Sequence, residues 1–593
     1  MVAAYFKKIL RVKFQHSIFI YAVLVGILSG IISMVFSWLL SFLESFYKSF
    51  HVQSAEQSLS LAQKTSFVFQ HPTSAAFIVL LPALGGLMAG LIIYVYCKDA
   101  EGTGTDEMIN AFHNKEGKIK TSIPLFKALA TLFTIPTGGS GGKEGPISLI
   151  GAGIGVAIAN IVNTGARARR TLMLAGTAAG LGAVFKTPLG GALTAVEMVY
   201  KEDIESDALI PCFISSVTAY LVYTTYAGTE PFLNMGSLTQ FHVNEILFYL
   251  ALGALCFLFG YLFIRGFNNA KVFINKWKVP SYLKPAVGGL LTGGIALLFF
   301  EVSGTGHDFL IYTIAGKLPD FLGNATWESI VISLLVIAFL KIVATTLTIG
   351  SGGSAGIFGP SLFIGAMLGA AVGVAAKFFL HHPVSIASFI VVGMGAFYAG
   401  VANAPIAGII MIVEMTGSYI LLPPLIIVSI FTFILSKQIS FYKHQVENRF
   451  KSPAHAWDMQ SDVIEAIKIK NYFPEYRLLA VVNKTTPLNA VQQLGIEIHA
   501  SDFVVVSSKL KYQGMLSLRR VKTENPTLSA NRFADATIPY VTPEDKLSKA
   551  LHIITRYDID KVAVVEDNIT VGYIRSRDIF QAYTEQLNKK QSN

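Results

Sequence analysis

A large part of this chain is written twice. Pro82-Ala-Leu-Gly-Gly-Leu-Met-Ala-Gly90 returns as Pro285-Ala-Val-Gly-Gly-Leu-Leu-Thr-Gly293, and Gly102-Thr-Gly-Thr-Asp106 returns as Gly304-Thr-Gly-His-Asp308. Gly138-Gly-Ser-Gly-Gly-Lys-Glu-Gly-Pro146 matches Gly352-Gly-Ser-Ala-Gly-Ile-Phe-Gly-Pro360. Thr187-Pro-Leu-Gly-Gly191 matches Ala404-Pro-Ile-Ala-Gly408, and both run on to Val-Glu-Met, at Val196-Glu197-Met198 and Val413-Glu414-Met415. The order is the same in both copies and the offset stays between 202 and 217 residues. Such a pattern requires a duplicated unit, with repeats at about 75–235 and 280–440.

The repeats are written in apolar residues. Only 14% of the chain is charged against 52% hydrophobic, where a soluble domain carries about 25% charged residues. Ser17–Leu43 and Ile342–Ala376 contain no charge, and further apolar runs lie at Ser74–Cys97, Gly145–Ala166, Ala208–Thr229, Ile246–Ile264 and Met415–Ser436. About 20 apolar residues cross a bilayer, so residues 1–450 read as a multi-pass membrane domain. The first run is too long for a signal-peptide core and reads as a retained span. Lys7, Lys8, Arg11 and Lys13 precede it, which places the N-terminus on the cytoplasmic side. The net charge of +10 comes from scattered residues flanking apolar runs, which argues against a nucleic-acid partner. Cys97, Cys212 and Cys256 lack metal or disulfide spacing and read as small apolar residues.

Each repeat interrupts its apolar pattern with glycine loops. Inside a bilayer, irregular backbone is tolerated only where protein buries it or where it lines a cavity. The loops at 138–146 and 352–360 each precede a long apolar segment. A helix starting there aims free N–H groups and roughly +0.5 of an elementary charge back at the loop. That is an anion site made without buried cations. A phosphate-binding P-loop is excluded, because Glu144 stands where that motif needs Ser or Thr and Thr137 where it needs Gly. Glu144 is an acidic residue at the mouth of an apolar helix, where ionisable groups are costly and functional. Its carboxylate can occupy the anion site, and protonation would release it.

Charge returns near Lys437. Residues 451–593 alternate short strand-like runs (Ala480–Val482, Phe503–Val506, Val562–Val565, Val571–Ile574) with helical patterns at Pro487–Leu494 and Pro543–Tyr557. The arrangement occurs twice, at about 474–523 and 533–586. It resembles a pair of CBS domains.

Taken together, the membrane motifs resemble the CLC family of chloride channels and chloride/proton antiporters. The family's Gly-Ser-Gly-Ile-Pro resembles Gly102–Asp106, its Gly-Arg-Glu-Gly-Pro resembles Gly142–Pro146, and its Gly-x-Phe-x-Pro resembles Gly356–Pro360. The family's late tyrosine resembles Tyr442. The fold implied is a polytopic α-helical membrane protein, a duplicated, inverted-repeat CLC fold, followed by an α/β CBS pair. The function implied is chloride transport by a homodimer, each subunit with its own pathway, in a bacterial inner membrane with both termini cytoplasmic; no enzyme activity is expected.

The resemblance also implies residue roles. The hydroxyls of Thr103 and Tyr442 and the amides of Ile357 and Phe358 would coordinate the anion, with Gly104, Lys143 and Gly145 shaping the loops. Glu144 would be the gate and proton carrier. Thr103 replaces the usual serine, Lys143 the arginine, and Asp106 the proline. Proton-coupled members carry a glutamate where Met198 stands, so proton exchange and a proton-independent channel are both open; Glu202 and Asp203, one turn on, are the substitutes available. A cation transporter is disfavoured, since Asp106, Glu144, Glu197, Asp308 and Glu414 lack ligand spacing, and no metal site is expected. An adenine nucleotide is the ligand such a CBS pair would take. The first copy keeps Ser517 of its ribose-contacting pattern and the second keeps Asp578, and neither copy is complete.

Overall fold

The structure, a computed structural model, describes residues 14–48, 72–233, 241–316, 326–380, 383–455, 467–472, 477–521 and 525–591. Lys7, Lys8, Arg11 and Lys13 lie outside the described residues, as do 474–476 and 522–523 of the first CBS copy. The chain divides into two compact units, Met1–Ala454 and His455–Asn593.

The first unit opens with α1 (Phe14–Lys48). The first repeat follows as α2 (Pro72–Leu91), α3 (Thr105–Asn114), α4 (Ser122–Thr134), α5 (Glu144–Val162), α6 (Ala166–Val184), α7 (Pro188–Glu197) and α8 (Leu209–Ala227). After α9 (Ile246–Asn275) the same series returns as α10 (Lys284–Leu298), α11 (His307–Ile314), α12 (Trp327–Gly350), α13 (Phe358–Phe379), α14 (Ile386–Ala402), α15 (Pro405–Thr416) and α16 (Leu422–Ser436). Seven helices among the described residues are long and apolar enough to cross a membrane. Of the remaining repeat helices, α6 is as long as α5 at 19 residues but carries Arg167, Arg169 and Arg170 in its first turns, and the others are shorter.

The glycine loop expected at 352–360 divides the uncharged run Ile342–Ala376: the backbone turns at Ser351–Ile357 between α12 and α13, with glycine at 352, 353 and 356. One expected span is corrected: Met415–Ser436 breaks at Gly417, which takes the left-handed conformation after α15. Absence of charge signals the environment of a segment, not its continuity.

The repeats meet face to face and reciprocally. A β-carbon on Gly86 of α2 would strike the carbonyl of Pro285 in α10, and one on Gly289 would strike the carbonyl of Pro82. Thr131 pairs with Ser354 at 2.9 Å, and their counterparts Thr345 and Ser140 pair at 2.9 Å. Contacts that return with partners exchanged mean that a local two-fold axis relates the halves. Close backbone approach through small residues is how helices pack where lipid removes the hydrophobic drive between them.

The second unit repeats on a smaller scale. After α17 (Ile469–Tyr472), β1 (Val481–Asn483), α18 (Leu488–Glu497), β2 (Asp502–Val506) and β3 (Tyr512–Ser517) make a sheet of order β1-β2-β3, parallel then antiparallel. α19 (Leu547–Tyr557), β4 (Lys561–Glu566), β5 (Ile569–Arg575) and α20 (Ser576–Gln591) follow, with β4 and β5 antiparallel. Val541 bridges Val564 in parallel, as Val481 pairs with Val504 sixty residues earlier. The helix expected from Pro543 begins at Leu547 instead, because Asp545 closes a turn on the N–H and hydroxyl of Thr542 at 2.7 and 3.0 Å.

Candidate functional site

Four loops, two from each repeat, knot together at the two-fold axis. Gly142 N–H donates to the Gly356 carbonyl at 2.8 Å and Gly356 N–H donates back to the Gly142 carbonyl at 2.6 Å. Gly102 bridges Ser354, and Gly141 N–H reaches the Gly304 carbonyl at 3.2 Å. The α-carbon of Gly145 packs onto the Thr103 carbonyl and Gly356. Gly104, with φ of 80°, turns the chain into the start of α3. The starts of α3, α5 and α13 therefore converge.

Glu144 crosses between the halves. It opens α5, yet its carboxylate accepts the N–H of Gly359, the second residue of α13, at 2.8 Å, with the Phe358 amide also directed at it. The side chain is buried. An anionic oxygen thus lies on the free amides of a helix N-terminus, which is the seat such a terminus offers any small anion. Ile357 and Phe358 stand at that terminus, and the Phe358 ring is wedged between Phe185 at 4.9 Å and Tyr398 at 4.6 Å between centroids.

Lys143 lies just before α5 with its ammonium 5.5 Å above the Phe232 ring. Lys143 and Glu144 line a cavity of about 320 Å³ with Gly142, Phe232, Gly304, His307 and Phe363. The Glu144 side chain thus borders open space.

Tyr442 is buried, and Thr105 lies in its neighbourhood. Thr105 also lies 3.4 Å from the Ser148 hydroxyl on α5. The Thr103 carbonyl packs against Gly145. Sequence reasoning did not name Thr105, which follows Thr103 by two residues in the same short motif. It also did not name Tyr398, which is buried against the Phe358 ring.

A third omission is a pair of buried lysines. Lys127 on α4 donates to the carbonyls of Ala100, at 3.2 Å, and Gly102. Lys341 on α12 donates to those of Val302 and Gly304, both at 2.9 Å. Each satisfies carbonyls of its own Gly-Thr-Gly loop. The signal was present: Lys127 and Lys341 are 214 residues apart, the spacing of Glu144 and Phe358.

The substitutes named for Met198 are engaged elsewhere. Glu202 pairs with Lys437 at 3.0 Å, and the Asp203 carboxylate accepts the amides of Ile204 and Arg449 at 2.8 and 3.0 Å. Met198 itself is buried, and its carbonyl accepts from Gln445 at 3.0 Å.

In the second unit Ser517 ends β3 and is buried. Asp578 is held by Arg575 through the backbone amide and Nε at 3.1 Å and Nη2 at 2.8 Å. The arginine that replaces the hydroxyl residue of the ribose pattern thus occupies the aspartate that remains. These bonds hold the Asp578 carboxyl below the ordinary aspartate range, against burial, which pushes it up.

Comparison with known proteins agrees with this architecture. The model of the voltage gated chloride channel family matches residues 85–437, and that of the CBS domain matches 533–585. A ClcB-like protein of Ralstonia nicotianae is 30% identical over 362 residues, 60% of this chain and 81% of the relative. The H(+)/Cl(-) exchange transporter ClcA of Yersinia pestis is 30% identical over 353 residues, 59% of this chain and 72% of the relative. Among solved structures, a slow cyanobacterial Cl-/H+ antiporter superposes with a TM-score of 0.60 at 17% identity, covering 75% of this chain and 97% of that one. A eukaryotic CLC transporter gives 0.52 at 19% identity, covering 95% and 97%. A repeated membrane unit whose glycine loops meet around an amide-bound glutamate, matched by the family model over most of its length, establishes that this chain is an integral, multi-pass member of the voltage-gated chloride channel (CLC) family.

Proposed function

We propose that this protein carries chloride across a membrane, with Glu144 as the gate and proton carrier. The single observation that carries this reading is the hydrogen bond from Gly359 N–H to Glu144 across the two repeats. A carboxylate seated on helix-terminal amides excludes chloride from that seat. Protonation removes its charge and weakens its hold on the amides, since charge-assisted hydrogen bonds are roughly twice as strong as neutral ones. The neutral side chain can then swing into the adjoining cavity and admit chloride. The hydroxyls of Thr103 and Tyr442 and the amides of Ile357 and Phe358 would ligate the anion, with Thr105 close by and Lys143 adding positive potential at the mouth. The named exchange transporter among the relatives favours chloride/proton exchange. Met198, which cannot carry a proton, favours a proton-independent channel as the second reading.

Flux from proteoliposomes under crossed chloride and pH gradients tests both. Exchange predicts that a pH gradient alone drives chloride uphill, and that Glu144→Gln abolishes proton movement while chloride still passes. A Glu144→Gln variant with wild-type gating and coupling would overturn the assignment of the gate. The assembly proposed is a homodimer in a bacterial inner membrane with both termini cytoplasmic. The C-terminal pair is proposed as a dimerising or structural element, consistent with Asp578 being occupied by Arg575; calorimetric titration with an adenine nucleotide, giving saturable heat, would instead make it a sensor.

A further inference from the structure

Asp106 follows Thr105 at the start of α3, and its carboxylate grips the segment that comes after α16. Oδ1 accepts the backbone N–H of His444 at 3.1 Å, and Oδ2 accepts Nδ1–H of the same residue at 3.0 Å. About two helical turns further along α3, His113 is buried between the Ser452 hydroxyl, at 2.7 Å, and the Val199 carbonyl, at 2.8 Å. Residues 442–452 therefore run beside α3 and are fastened to it at both ends by a histidine. Tyr442 stands two residues before the first fastening, as Thr105 stands next to Asp106. The segment leads into the C-terminal unit, so the fastening belongs to that side of the membrane.

We propose that Asp106 and His444 are positioning residues that hold the segment carrying Tyr442 at the start of α3, and that acidification on the C-terminal side tightens this hold and slows anion passage. The inference rests on the transport reading above. Neutral imidazole, with its proton on Nδ1, already donates to Asp106; a second proton turns that bond into an ion pair. Both partners are partly exposed, with side-chain accessibilities of 41% and 28%, so the gain is modest. The remaining charged groups are spoken for. Along α3, Glu107 is paired with Lys115 at 2.6 Å. Along the segment, Lys443 adjoins His444, and Glu447 is paired with Lys451. Around His113, the Tyr200 hydroxyl donates to Glu205 at 2.7 Å, and Arg170 donates to the carbonyls of Phe112 and Ala454. Asp106 is thus the carboxylate that a proton on His444 would reinforce.

The experiment uses the full chain in proteoliposomes sorted for one orientation. The pH is varied only on the C-terminal side, from about 8 to about 5. Wild-type chloride flux is expected to fall about fivefold on acidification, the order set by one partly exposed ion pair. His444→Gln, which keeps a neutral donor, is expected to flatten that profile while leaving flux at the alkaline end within about twofold of wild type. Asp106→Asn should do the same, and carries the test should His444→Gln fail to fold. A flat wild-type profile, or variants that keep the wild-type slope, would overturn the proposal, since a merely structural fastening moves stability without moving the pH profile. Wild type that passes no chloride at any pH would instead overturn the transport reading.

Discussion

The carboxylate of Glu144 fills the space that a side chain at Gly142 would need: a β-carbon placed on Gly142 overlaps both carboxylate oxygens, and the nearest atoms it meets all belong to Glu144. Only glycine at 142 leaves the Glu144 carboxylate in this seat.

Gly142→Ala is therefore expected to dislodge the gate while sparing the backbone. Chloride flux in this variant should lose most of its dependence on the pH that acts on Glu144, and adding Glu144→Gln should change it little further. Gly356→Ala is the contrast, because its β-carbon meets the backbone nitrogen of Gly145 at 2.5 Å as well as Glu144. That variant is expected to lower the yield of folded protein, read by size-exclusion chromatography in detergent.

Thr103 and Tyr442 should act as a pair. Thr103→Val and Tyr442→Phe are each expected to weaken chloride binding by about fivefold, the worth of roughly 1 kcal/mol for one hydrogen bond. The double variant should fall short of the product, because the two hydroxyls share one anion. Thr105→Val is expected to have the smaller effect. Isothermal titration of chloride into the detergent-solubilised protein measures all four; a larger loss at Thr105 would move the coordinating hydroxyl two residues past the position expected from the family motif.

The repeats cap one another. Glu197 at the end of α7 accepts the amides of Ile406 and Ala407 at 3.1 and 2.6 Å, at the start of α15. Glu414 near the end of α15 accepts those of Leu189 and Gly190 at 3.1 and 2.7 Å, at the start of α7. Replacing either glutamate by alanine leaves two helix-terminal amides without their acceptor, a loss of about 1–3 kcal/mol per site. Thermal unfolding in detergent should show comparable losses for both variants. A Glu197 variant of normal stability but altered proton movement would mark that residue as part of a proton route instead.

The C-terminal unit carries its own acid sensitivity. Burial raises the Asp502 carboxyl, but bonds from the Asp560 amide at 2.9 Å and Arg519 at 3.0 Å outweigh it, so its pKa lies below the ordinary 3.8. A carboxyl depressed in the folded state contributes stability above its unfolded pKa, and that stability is lost as pH falls through the folded value. Wild type should therefore lose stability below about pH 4. Asp502→Asn should be less stable by about 1–3 kcal/mol at pH 7, and the difference should shrink toward pH 3. Denaturant unfolding of the full chain, followed through a probe in the C-terminal unit, checks this.

Much of the architecture was legible in the chain itself. The duplication, the membrane character, the soluble C-terminal region and Glu144 at the start of an apolar helix all follow from residue order, because repetition, hydropathy and glycine punctuation are local properties. What the sequence could not decide was which atoms meet across more than two hundred residues. That the Glu144 carboxylate lies on Gly359, that Glu197 and Glu414 cap each other's repeats, and that Lys127 and Lys341 hold the Gly-Thr-Gly loops are properties of the packed halves. The physical reason is that helix phase and the two-fold contact are set by how glycine faces nest against backbone carbonyls. Those contacts exist only once both copies are folded against each other, and neither copy specifies them alone.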